Sequence, residues 1–202
     1  KERDGIKIGV IGLITPEVAE LTKPQNMEGL QVMDPKETAA KYIKELREKG
    51  IDTIVVLSHQ GEEADKELAR SVEGIDVIVG GHSHTAIDKP DVVNGTLIVQ
   101  SGSKGEFVGN LEVSIDRNSK KIVASKNELI PVNTKEIKPD SEVEKIIAPV
   151  LEEAKKKQAE LLGTTGIDLN HSNRITESAM GDIITDGMRE KTKSDIAIIN
   201  SG

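Results

Sequence analysis

Cysteine and tryptophan are absent from this 202-residue chain, and it holds one tyrosine and one phenylalanine. Without thiols there is neither a disulfide nor a thiolate metal site. So few aromatic rings leave no base-stacking platform for single-stranded nucleic acid. Long basic blocks are lacking too, and the formal net charge is −8. That balance excludes a general binder of nucleic acid polymers. No apolar run reaches 18 residues, so no segment reads as a membrane-spanning helix. The opening Lys1-Glu2-Arg3-Asp4-Gly5 is charged and has no leader-like apolar stretch. What remains to build a core is aliphatic: Ile, Val, Leu and Ala.

The aliphatic residues fall into alternating strand and helix patterns. The sequence predicts a strand from Ile6 to Leu13 and a helix opened by Asp34 as N-cap and Pro35 at its first position. Ala39, Ala40, Ile43 and Leu46 give that helix an apolar face, and Gly50 closes it. A strand over Thr53 to Leu57, a helix over Glu62 to Val72 and a strand over Val77 to Val79 follow. This alternation implies parallel strands with helices on the faces. From residue 92 the pattern changes to short strands, Leu97 to Gln100, Phe107 to Ile115 and Lys121 to Leu129, which read as antiparallel hairpins. A long helix is expected over residues 141–162, with a kink or break at Pro149. A short β-like piece to Leu169, a helix over Ala179 to Lys191 capped by Thr176 or Ser178, and a strand over Asp195 to Ile199 complete the pattern.

Three of the four histidines sit at two of the strand ends. His59 lies in Leu57-Ser58-His59-Gln60-Gly61, expected in the loop after its strand. His82 and His84 lie in Gly80-Gly81-His82-Ser83-His84-Thr85. In open α/β sheets, ligands bind beyond the carboxyl ends of the strands. If residues 82–84 are extended, His82 and His84 face the same side, with Gly80 and Gly81 allowing a tight turn beneath them. Neutral imidazoles of this kind suit Zn²⁺, Mn²⁺, Fe or Co. Glu62, Glu63 and Asp65 read first as acids favoured by the first turn of a helix, and secondarily as partners of the imidazoles. His171 reads as a loop residue at a domain junction.

The two histidine segments, with Gly9-Val10-Ile11-Gly12-Leu13-Ile14-Thr15-Pro16-Glu17 upstream, resemble the later metal motifs of calcineurin-like metallophosphoesterases. Within that superfamily the resemblance is to the 5′-nucleotidase branch, which includes 2′,3′-cyclic-nucleotide 2′-phosphodiesterases and UDP-sugar hydrolases. Asn173-Arg174-Ile175-Thr176-Glu177-Ser178-Ala179-Met180-Gly181-Asp182 and Asn200-Ser201-Gly202 resemble the opening of that family's C-terminal nucleotidase domain.

The resemblance implies an α/β fold: the C-terminal half of a metallophosphoesterase β-sandwich over residues 1–138, a linker helix over 139–163 and the start of a nucleotidase C-terminal domain over 164–202. It implies two divalent metal ions such as Zn, Mn or Co, with His59 and His82 on one and His84 on the other. Arg174 would contact the substrate and Asn200 would lie near the nucleobase. The family's first metal motifs and its catalytic histidine are expected upstream of Lys1, so this chain contributes no catalytic residue and is expected to be a fragment with little or no activity alone. For the whole protein the resemblance implies a nucleotide substrate and an extracellular, cell-wall or periplasmic location. An open sheet edge would favour self-association. The competing function is a non-enzymatic module that binds a metal or a partner through the same histidines.

Overall fold

The computed structural model describes residues 1–133, 135–169 and 176–199. The chain divides into two compact units, Lys1–Lys138 and Pro139–Gly202.

The first unit is built on a six-stranded sheet of order β1-β2-β3-β4-β6-β5. Its strands are β1 (Glu2–Arg3), β2 (Ile6–Ile14), β3 (Thr53–His59), β4 (Val77–Val79), β5 (Asp91–Val93) and β6 (Thr96–Val99). The central four, β2, β3, β4 and β6, run parallel, and β1 and β5 close the edges antiparallel. The short helix α1 (Val18–Leu21) follows β2, and the helices α2 (Pro35–Glu48) and α3 (Glu62–Ser71) make the crossovers from β2 to β3 and from β3 to β4, while the third, from β4 to β6, runs through β5. Asp34 caps α2 by accepting from the Glu37 N–H at 2.9 Å, and Pro35 fills the first helical position, where its missing N–H costs nothing.

One face of the sheet carries the core. Ile11, Leu13, Ile54, Val56, Ile78 and Ile98 point to Ala39 and Ile43 of α2 and to Leu68 and Ala69 of α3. The opposite face is open: Val10, Ile14, Leu57 and Val79 are exposed. The helices therefore cover one face rather than both. Arg47 locks the far end of the layer, donating to the Ile51, Asp52 and Gly74 carbonyls and pairing with the Asp76 carboxylate at 3.0 Å.

The hairpin pattern after residue 92 resolves into two different structures. The Asn94-Gly95 turn joins β5 to β6, but β6 then pairs parallel with β4 and belongs to the main sheet. Only β7 (Phe107–Ile115) and β8 (Ile122–Pro131) form a separate two-stranded antiparallel sheet. Asn127 of β8 ties this hairpin to the connection between β4 and β5 by donating to the Ile87 carbonyl at 2.9 Å.

In the second unit α4 (Ser141–Gln158) begins at Asp140, which accepts from the N–H groups of Glu142 and Val143. It runs through Pro149 without a break and stops four residues short of the expected end. Ser178 caps α5 (Ala179–Thr192) by accepting from the Gly181 N–H at 3.1 Å. Residues 164–169 and 195–199 form no strand, because the described residues offer them no partner for a ladder. Their apolar pattern alone had suggested strands; a strand exists only once its N–H and C=O groups are paired with a neighbour. His171, Arg174 and Asn200 lie outside the described residues.

Candidate metal-binding edge

His59 is the last residue of β3, not a loop residue. It pairs with Ile14 of β2, and its carbonyl accepts from the Thr15 N–H at 3.0 Å, extending the ladder past the strand end. Strand alternation sends its neighbour Ser58 to the buried helix side and the His59 ring to the open side. Gly80 and Gly81 carry the next chain segment past it. The His59 and His82 rings meet edge to face, with centroids 5.1 Å apart and planes at 66°.

The segment from Gly80 to Thr85 is not extended. His82 has φ +78° and His84 φ +59°, both in the region that L-residues avoid. Ser83 N–H donates to the Gly81 carbonyl at 3.0 Å, which makes His82 the central residue of a positive-φ γ-turn. The same-side rule for i and i+2 therefore does not operate here. His84 is exposed, and among the described residues no group of three or more His, Asp or Glu side chains closes on one point. The structure thus brings His59 and His82 together and does not add His84 to them. Strain of this kind, of order 1–3 kcal/mol, clusters at sites where it serves function.

The glycines act differently from the sequence expectation. Neither Gly80 nor Gly81 has positive φ. They are needed for space. A methyl group on Gly80 would lie 2.6 Å from Asp65 Oδ2, and one on Gly81 would lie 3.1 Å from His59 Nδ1.

The three acids after His59 separate in role. Glu62 and Glu63 are first-turn acids of α3 that pair with Lys66, which also reaches Asp91 at 3.0 Å. Asp65 is fully buried instead, with Ser58 Oγ donating to its Oδ1. Burial pushes its carboxyl up to about 6, against the opposing pull of the Ser58 hydrogen bond. Sequence alone had grouped it with its exposed neighbours; the signal that separates it is the α3 period, which places position 65 inward with Leu68 and Ala69.

A carboxyl whose pKa is raised by folding binds its proton more tightly in the native state. Its burden on stability is therefore absent at low pH, grows as pH rises from about 4 to 6, and is constant above that. Asp65→Asn removes the burden. The stability gap between Asp65→Asn and the wild type should widen by about 2–3 kcal/mol in favour of asparagine across that window, measured by urea unfolding of metal-free protein. A pH-independent gap would show that Asp65 does not titrate there.

The donor chemistry of the edge suits a divalent cation: two imidazoles side by side at a sheet's carboxyl edge, one exposed and one half-buried. Two nitrogens are an incomplete shell, and the described residues supply no third group.

No protein-family model matches the chain. Relatives match along its whole length. It is 32% identical over 211 residues to the trifunctional nucleotide phosphoesterase protein YfkN of Bacillus subtilis (strain 168), covering 98% of this chain and 14% of that protein. It is 31% identical over 257 residues to a 5′-nucleotidase of Vibrio cholerae, covering all of this chain and 45% of that protein. It is 28% identical over 240 residues to the cell wall protein Lmo0130 of Listeria monocytogenes, covering all of this chain and 30% of that protein. Among solved structures, a 5′-nucleotidase precursor from Thermus thermophilus superposes with a TM-score of 0.76 at 32% identity, over 94% of this chain and 41% of that one. The chain spans less than half the length of each of these relatives.

The fold is that of the calcineurin-like phosphoesterase YfkN from Bacillus subtilis, whose structure superposes with a TM-score of 0.64 at 23% identity, over 77% of this chain and 54% of that one. Along its whole length the chain is similar to part of the 5′-nucleotidases of Vibrio cholerae and Thermus thermophilus, 45% of the one and 41% of the other.

Proposed function

We propose that this chain is the part of a metal-dependent nucleotide phosphohydrolase that carries the later histidine ligands. The meeting of the His59 and His82 rings is the observation that carries this reading. His59 and His82 would hold one divalent cation and His84 would serve a second; the remaining ligands would come from chain outside this sequence. Bound there, such cations would polarise a phosphoryl oxygen and activate water for in-line attack. The chain's own contribution is to present two imidazoles at a fixed separation, with Gly81 leaving room beside the His59 ring and Gly80 leaving room over Asp65. Substrates would be nucleotide phosphomonoesters, and 2′,3′-cyclic nucleotides as a second class; Arg174 and Asn200 would contact them. Residues 139–163 would link the metallophosphoesterase part to a C-terminal part beginning at 164. The protein would work outside the cell, in the cell wall or in the periplasm.

Cobalt(II) added to the chain should broaden the ring resonances of His59 and His82 before any others. With Mn²⁺ or Co²⁺ present, phosphate release from AMP, UMP or 2′,3′-cyclic nucleotides should stay near background. Selective broadening elsewhere would overturn the ligand assignment, and robust turnover would overturn the incomplete-site reading. The open sheet face of Val10, Ile14, Leu57 and Val79 also favours self-association; a clean monomer by light scattering at micromolar concentration would refute that part.

A further inference from the structure

We propose that Asp65 is the positioning residue that holds the two histidine-bearing segments, residues 58–60 and 80–82, at their separation. Its functional meaning rests on the metal reading above; its geometric content stands without a metal.

Asp65 reaches both segments. Its Oδ1 accepts from Ser58 Oγ, and Ser58 Oγ accepts in turn from Gln60 Nε2 at 3.1 Å. Ser58 and Gln60 are the two chain neighbours of His59, so the backbone on either side of that ring hangs on one hydrogen-bond chain ending at Asp65. The other oxygen, Oδ2, is buried and has no hydrogen-bond partner. It lies directly beneath Gly80, the first residue of the segment that turns into His82. Gly80 is held down onto it from the next strand, because its N–H donates to the Val99 carbonyl at 2.7 Å. The His59 ring rests on Gly81, next along the chain.

The far side of the His82 turn is pinned separately. Gln100 Oε1 accepts from the Thr85 N–H at 2.9 Å, Gln100 Nε2 donates to Ser83 Oγ at 3.1 Å, and Ser83 Oγ accepts from the Glu62 N–H at 3.1 Å. Gln100 is itself buried. His82 is therefore clamped in its strained turn between Gly80 on Asp65 and Ser83 on Gln100.

A carboxyl is a poor choice for packing at this place. The other inward positions of α3 are Leu68 and Ala69, and an apolar side chain at 65 would spare the desolvation of an ionisable group with one oxygen left unpaired. What the carboxyl supplies that a leucine would not is direction: an acceptor aimed at Ser58 and a rigid oxygen that sets how low Gly80 can sit.

The test uses the full chain and two readouts, one of them metal-free. The nuclear Overhauser effect between the His59 and His82 ring protons reports their approach, and cobalt(II) titration reports binding. Asp65→Leu should fold cooperatively yet weaken the ring-to-ring effect several-fold and lower cobalt affinity by about tenfold or more. Asp65→Asn keeps the acceptor and should stay within about threefold of wild type in both. Ser58→Ala cuts the link from the other end at little cost in core volume and should weaken the ring-to-ring effect in the same direction. That variant decides the matter if Asp65→Leu fails to fold. A wild-type ring-to-ring effect in a folded Asp65→Leu, or in Ser58→Ala, would overturn the proposal. A ring-to-ring effect lost in these variants, with no cobalt bound even by wild type, would sustain the positioning role and overturn the metal reading.

Discussion

Alanine at position 82 should lower cobalt(II) affinity by at least about 100-fold while leaving the sheet folded, and glycine there should do the same in a more stable protein. The first half follows from the donor count. His59 and His82 are the two imidazoles that meet, and losing even an outer partner of a metal ligand costs about 10–100-fold. The second half follows from the backbone. His82 sits at φ +78° at the centre of a γ-turn closed by the Ser83 N–H. A Cβ is strained there and a glycine is not, so His82→Gly should exceed His82→Ala in stability by about 1–2 kcal/mol. Urea unfolding of the two variants measures the difference. Equal stabilities would mean that the turn relaxes once the ring is gone, and the strain would then belong to the histidine contacts instead of the backbone path.

The second large effect is expected at Gly80. Gly80→Ala should cost about 2–3 kcal/mol, because the new methyl would lie 2.6 Å from Asp65 Oδ2 and 3.2 Å from Gln100 Nε2, both on buried side chains. Neither can swing away without breaking the hydrogen bonds that hold the 58–60 and 83–85 segments. Since Gly80 has ordinary φ, the cost is one of space and not of backbone freedom. Asp65→Ala opens that space. The double variant should therefore be more stable than the sum of the single changes predicts, by at least about 1 kcal/mol in a double-mutant cycle. Strict additivity would show that the clash lies elsewhere. Gly81→Ala should be milder, since its methyl would meet nothing closer than His59 Nδ1 at 3.1 Å and the Ser58 carbonyl oxygen at 3.3 Å.

The strands, helices and caps of the first unit were legible because their signals are local. Asp34-Pro35 opens a helix by satisfying an orphan N–H and omitting another, whatever surrounds it. The apolar runs before His59 and His82 read as strands, and adjacent parallel strands put both residues at one edge. The strand pattern over 195–199 failed for the converse reason: pairing is not a local property.

Composition and period by themselves determined an aliphatic α/β layer, the absence of any thiolate donor, and imidazoles at neighbouring strand ends. The tertiary structure alone decided that the helices share one face, that β6 joins the main sheet, and that the histidine segment is a strained turn and not a strand. It also decided that Asp65 lies under both histidine segments while Glu62 and Glu63 face Lys66. The physical reason is one of range. Periodicity and capping act within a few residues, whereas a close approach such as Gly80 over Asp65 depends on where two separate segments are brought by the packing of the whole layer.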